Sequence, residues 1–219
     1  MMTARYSLII VPTAGIAQKD DGPLTFSDGV ESFSYDIEQD PYEFCLKAVK
    51  KLNDTGACSN FLIVGGAVQT RKDEKKDKFL GATGNNVPKA EVMRDRLVKH
   101  YKVPLNCIRV LISESNTTGN AVAVASHFAA GNPAPSGRLG LMVNFFRLAR
   151  ATGIFIDATK LPLIPISAES VVYEEEFENI KEFYKQEGFA AIISSNRDSD
   201  SEIKGISDRE NGTYLARFR

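Results

Sequence analysis

Residues Leu139 to Ala151, LGLMVNFFRLARA, decide the fold class. The first five are apolar and suit a short buried strand. From Phe145 onward apolar residues recur at helical spacing, so a strand hands over to a helix with Asn144 at the turn. Residues Ile108 to Ala121, IRVLISESNTTGNA, repeat the arrangement: an apolar run, a polar turn, then a helical pattern. In α/β proteins the carboxyl ends of parallel strands are where ligands bind. The polar residues at these two turns are Asn, Thr and Arg, with few carboxylates and no cysteine, a set that suits a phosphate or another anion and not a metal.

Outward from these segments, strand-like runs alternate with helical patterns. The runs are Tyr6 to Val11, Phe61 to Val64, Ile108 to Ile112, Leu139 to Val143, Leu163 to Ile166 and a weaker Ala190 to Ile193. Such alternation predicts βαβ units, hence an α/β fold with a mainly parallel sheet of about five or six strands. The first helix is expected after Asp40-Pro41, an N-cap and N1 pair, with Tyr42, Cys45, Val49 and Leu52 as its buried stripe. The second starts near Pro88 and buries Ala90, Met93, Leu97 and Tyr101. Thr117 or Thr118 caps the third, whose stripe is Ala121, Val124, Ala125 and Phe128. Phe145 to Ile156 reads as a fourth helix and Glu174 to Gln186 as another, followed by a polar, turn-rich extension. The stretches Thr13 to Gln39 and Gly65 to Val87 are too long for plain turns and leave the carboxyl ends of strands, so each is expected to be a binding loop, a cover or an insertion. The run RKDEKKDK within the second reads as a solvated face.

The 219 residues fit one domain. With 27 Lys and Arg against 28 Asp and Glu, the net charge of -1 offers no broad attraction for nucleic acid or an anionic membrane. No apolar stretch approaches the roughly 20 residues of a membrane span, and the N-terminal run is too short for a signal core, so a cytoplasmic protein is expected. Cys45, Cys58 and Cys107 are widely spaced with no CxxC, consistent with reduced thiols. His100 and His127 fall late in helices, where a cation is favourable, which argues against a zinc site or a Ser/His/Asp triad.

Candidate ligand-binding residues follow from the turns. Gly65 and Gly66 end a strand and permit close approach of a backbone. No third glycine completes GxGxxG, which argues against a dinucleotide fingerprint. Asn116, Thr117 and Asn120 bring donors to a helix start whose first amides are unpaired. Arg147 and Arg150, at i and i+3, share one face of the opening turns of a helix, where the macrodipole disfavours cations. Something negative must offset them: a bound anion, or a carboxylate such as Glu91 or Glu114. Asn116, Thr117, Asn144, Arg147 and Arg150 are expected to converge in one cleft, on the premise that their two strands are neighbours. Glu91, early in the second helix, is the best candidate for a catalytic base, though it equally fits a favourable helix-start acid.

The glycine-ended strand, the helix with an early Glu, the Asn-Thr-x-x-Asn-Ala turn and the Asn-x-Phe-Arg-x-x-Arg-Ala turn together resemble the YdcF-like and SanA-like proteins, a family grouped as a domain of unknown function. The matching positions are Gly65, Gly66, Glu91, Asn116, Thr117, Asn120, Ala121, Asn144, Phe146, Arg147, Arg150 and Ala151, within a core of about residues 6–166. The resemblance implies a three-layer Rossmann-like fold and a nucleotide-like ligand, with S-adenosylmethionine as an alternative cofactor. Gly119 stands where that family commonly has Glu, and Arg147 where it commonly has His. Two proton-transfer groups are thereby absent. The expected partner is a small anionic molecule, taken up by a binding protein or sensor, or by an enzyme acting on a phosphate group. For S-adenosylmethionine, Asp73 or Glu74 would have to fold inward to hold ribose hydroxyls.

Overall fold

The computed structural model describes residues 5–13, 16–18, 24–26, 43–66, 88–113 and 117–174. In chain order the elements are β1 (Leu8–Pro12), β2 (Ile16–Gln18), β3 (Leu24–Phe26), α1 (Glu43–Asp54), β4 (Phe61–Gly66), α2 (Lys89–Lys99), β5 (Ile108–Ser113), α3 (Thr117–Ala129), β6 (Leu139–Val143), α4 (Phe145–Thr159), β7 (Leu163–Ser167) and α5 (Ala168–Tyr173). Five strands form an all-parallel sheet in the order β5-β4-β1-β6-β7, and β2 and β3 pair antiparallel with each other. The chain lays β4 and then β5 to one side of β1 before returning to lay β6 and β7 on the other. The order therefore reverses between β1 and β6, the switch point at which such sheets open a crevice.

Burial explains the composition of the strands. Leu8 to Val11, Phe61 to Val64 and Leu139 to Val143 are buried throughout, as expected of central strands covered on both faces. At the edge, β5 exposes Arg109 in mid-strand, a charge that discourages pairing with another chain. Ile9, Val11, Phe61 and Ile63 pack with α1, α2 and α5 on one face, and Leu8, Ile10, Leu62 and Val64 with α3 and α4 on the other. The result is a three-layer, Rossmann-like arrangement.

The expected helices α1 to α4 are present. Cys45, Val49 and Leu52 of α1, Ala90, Met93 and Leu97 of α2, and Ala121 and Val124 of α3 are buried. Pro88 is the N-cap of α2. Helix α4 continues to Thr159, beyond Ile156, and stops at Lys160 in the left-handed conformation, φ 57°. Two features were not anticipated: the β2–β3 pair inside the stretch read as a long connection, and α5, which begins directly after β7. Of the helix expected over Glu174 to Gln186, Glu174 is described and instead ends α5 in the left-handed conformation, φ 59°; the rest of it, the strand Ala190 to Ile193, the cap pair Asp40-Pro41 and most of the stretch Gly65 to Val87 lie outside the described residues.

Candidate functional site

The register of the sheet aligns the strand ends. Pro12 pairs with Val64, Ile10 with Leu141 and Val143 with Ser167. One residue past these pairs, Thr13, Gly65, Asn144 and Ala168 stand abreast, while β4 itself runs on to Gly66. The Thr13 amide donates to Val64 O at 2.8 Å. That draws the Thr13 side chain over β4: a Cβ at Gly65 would lie 1.9 Å from Thr13 Oγ1. Glycine is required there by the side chain of the neighbouring strand. Both Gly65 and Gly66 are buried.

At the start of α4 a protein carboxylate occupies the positive end of the helix. Glu169, in the first turn of α5, is completely buried. Its Oε1 accepts from Asn144 Nδ2 at 2.9 Å, and its Oε2 accepts from the Phe145 amide at 2.8 Å and from Ser167 Oγ at 2.9 Å. Three donors satisfy both oxygens, and an anion beside the first amides of a helix is favoured by the macrodipole. Asn144 is buried too, and its Oδ1 faces the Cys45 thiol of α1 at 3.8 Å. Glu91 and Glu114 are the carboxylates expected against the two arginines; the carboxylate that caps the α4 amides is a different one, Glu169. Its local signal was Ser167-Ala168-Glu169, a Ser N-cap with an acid in the first turn of the helix. Helix α1 likewise carries a buried acid in its opening turn, Glu43, which ion-pairs with Arg96 and accepts from Tyr101 Oη at 2.7 Å.

The cations form a separate group. Lys89, the first residue of α2, has its pKa lowered by burial and, secondarily, by the charge of Arg147 in α4. Helices α2 and α4 cover opposite faces of the sheet. Both helices begin at the carboxyl edge, α2 after β4 and α4 after β6. Arg147 is partly buried, and Arg150, one turn further on the same side, is also partly buried. Lys89 was not among the residues singled out from the sequence. A lone lysine after a long charged stretch carried no local signal.

The remaining candidates are dispersed. Strands β5 and β6 are not neighbours, because β4 and β1 lie between them. The carboxyl ends of β5 and β6 thus stand roughly 14 Å apart at the usual strand spacing. Their helices nevertheless share one face of the sheet. Asn120 is buried, and its Oδ1 accepts from Ser113 Oγ, tying α3 to the end of β5. Thr117 opens α3, while Asn116 and Glu114 lie outside the described residues. Glu91 is partly buried and lies two residues from Lys89, a spacing that does not face the same side of a helix.

No protein-family model, no curated protein and no solved structure matches this chain. Among the described residues, no group of three His, Cys, Asp or Glu side chains could hold a metal ion, and no helix is long and apolar enough to cross a membrane.

Proposed function

We propose that this protein binds a small anionic metabolite, phosphorylated or nucleotide-like, at the carboxyl edge of the sheet beside the β1/β6 switch point. What supports this reading is that Lys89 opens α2 and Arg147 lies in the first turn of α4, two helices that begin at the carboxyl edge, and that the charge of Arg147 adds to burial in lowering the Lys89 pKa. Two cations that disfavour each other at helix starts, where the dipoles are also positive, are stabilised by an anion shared between them. Asn144, immobilised between Cys45 and Glu169, gives that edge a rigid wall. The motif resemblance to YdcF-like proteins is consistent with such a ligand and is part of the proposal.

Binding is favoured over catalysis. A phosphate-group hydrolase or transferase would need a base, and Glu91 is two residues, about 200° of helix, from Lys89. S-adenosylmethionine fits less well, since its sulfonium would face two cations. The test is thermal unfolding of the full chain with inorganic phosphate, adenosine 5′-monophosphate and S-adenosylmethionine, in the parent protein and in Lys89→Ala. Stabilisation by the first two that disappears in the variant supports the reading. No response to either removes it.

A further inference from the structure

We propose that α5 is a latch: its docking on α1 holds the opening of α4 in place, and its release frees that opening. The device goes beyond anion binding and does not depend on it. Helix α5 spans Ala168–Tyr173, 6 residues, or about 9 Å at 1.5 Å per residue. A helix this short is unstable in water by itself, so it stands only while its contacts hold it. Its two ends grip different layers. At the amino end Ser167 Oγ accepts from the Ser170 amide at 3.2 Å and donates to Glu169 Oε2 at 2.9 Å, so one hydroxyl both caps the helix and orients its carboxylate. That carboxylate reaches across to α4, where it accepts from Asn144 Nδ2 and from the Phe145 amide.

At the carboxyl end the contacts go to α1. The Tyr173 ring meets Phe44 edge-on with centroids 5.5 Å apart, Lys51 Nζ donates to Val172 O at 3.3 Å, and Lys51 pairs with Glu174. A lysine on the last carbonyls of a helix also suits its dipole. Val171 and Val172 pack against the apolar cluster to which α1 belongs. These polar and aromatic anchors face solvent: Tyr173 is 46% exposed, and the Lys51 and Glu174 side chains 34% and 75%. Exposed pairs are weak, so the carboxyl end is where α5 comes loose first. With fewer than two turns, the helix does not survive losing that end, and Glu169 withdraws from α4. Asn144 and Phe145 then lose the acceptor that fixes where α4 begins. A change at the surface of α1, on one face of the sheet, is thereby carried to the first turn of α4, on the other.

The experiment is amide hydrogen exchange of the full chain, read residue by residue by NMR, in the parent protein, Lys51→Met and Tyr173→Ala. Both substitutions act on the carboxyl end of α5. Three amides report: Phe145, bonded to Glu169; Ser170, bonded to Ser167 Oγ; and Ile9, bonded to Asn60 O at 3.0 Å in a central strand, which opens on global unfolding. Relative to Ile9, Phe145 and Ser170 should both exchange about tenfold faster in each variant, and by the same factor, because they open as one unit. Acceleration of only one of the two relative to Ile9 shows that α5 and the start of α4 open separately, and overturns the proposal. No acceleration of either relative to Ile9 shows that α1 does not anchor α5, and overturns it as well. Should Tyr173→Ala not fold, Tyr173→Leu takes its place, since it keeps an apolar group and removes the ring. The readout is made on the free protein, so failure of the chain to bind any anion leaves this result unaffected and the two readings fail separately.

Discussion

The Asn144 side chain donates from Nδ2 to Glu169 Oε1 at 2.9 Å across 25 residues of sequence, joining the end of β6 to the first turn of α5. With the Phe145 amide and Ser167 Oγ on the other oxygen, this contact sets where α4 begins. Removing the carboxylate takes the acceptor from two buried side-chain donors and from the part-buried Phe145 amide, at roughly 1 to 3 kcal/mol for each buried donor when nothing replaces it. Glu169→Ala is expected to lower unfolding free energy by about 3 kcal/mol or more. Glu169→Gln is expected to be only partly better, because one end of its amide places a donor against donors. Denaturant unfolding of both variants checks this, and a loss below about 1 kcal/mol for Glu169→Ala would show that the contact is not what holds α4.

Gly65 is the second position with a sharp expectation. A methyl group there collides with Thr13 Oγ1, and Thr13 Cβ is only 2.9 Å away. Gly65→Ala should cost about 1 to 3 kcal/mol, the range for overpacking a close contact. Thr13→Gly clears both atoms, so the double variant should recover much of that loss. A double-mutant cycle measures the coupling, and additive effects would show that the two residues do not touch.

The third expectation concerns pH. Lys89 has its pKa lowered from the ordinary 10.5, by burial first and by Arg147 second. In the window between that lowered value and 10.5 the unfolded chain binds more protons than the folded one, so this group makes stability rise with pH. Below the window the charged lysine is a standing cost. Lys89→Met should therefore stabilise the free protein near neutral pH by about 0.5 to 1 kcal/mol and flatten the alkaline rise. Thermal unfolding of both proteins across pH 7 to 11 reads this, and a destabilised Lys89→Met at neutral pH would contradict it.

Much of the fold was legible because buried parallel strands announce themselves as continuous apolar runs. The runs starting at Phe61, Ile108, Leu139 and Leu163 each became a strand of the sheet. What escaped has physical reasons. IAQ and LTF are three residues each, too short to show a period of two. The end of α4 carries no glycine; Lys160 takes the left-handed conformation itself. Helix α5 follows β7 without a turn. At the site, Arg147 and Arg150 raised the expectation of an anion near the start of α4, and a carboxylate, that of Glu169, stands at that helix end bonded to Asn144 and the Phe145 amide. The sequence did not reveal that the anion at the helix end comes from 24 residues beyond Phe145, because such a contact exists only once α5 is docked. The premise of neighbouring strands failed for a related cause: strand order in a parallel sheet is set by crossovers whose direction a local pattern does not encode.

The central claim is that Lys89 and Arg147 share one anion over the edge of the sheet. The measurement that reads it most directly is the titration of the Lys89 side chain by NMR, with lysine carbon-13 labelled at Cε and the resonance assigned through Lys89→Met. In the free protein Lys89 should titrate below ordinary lysines. With saturating adenosine 5′-monophosphate its pKa should move upward, because a bound anion favours the charged form. A Lys89 resonance that titrates identically with and without the monophosphate, at concentrations up to those of cellular nucleotides, would contradict the account.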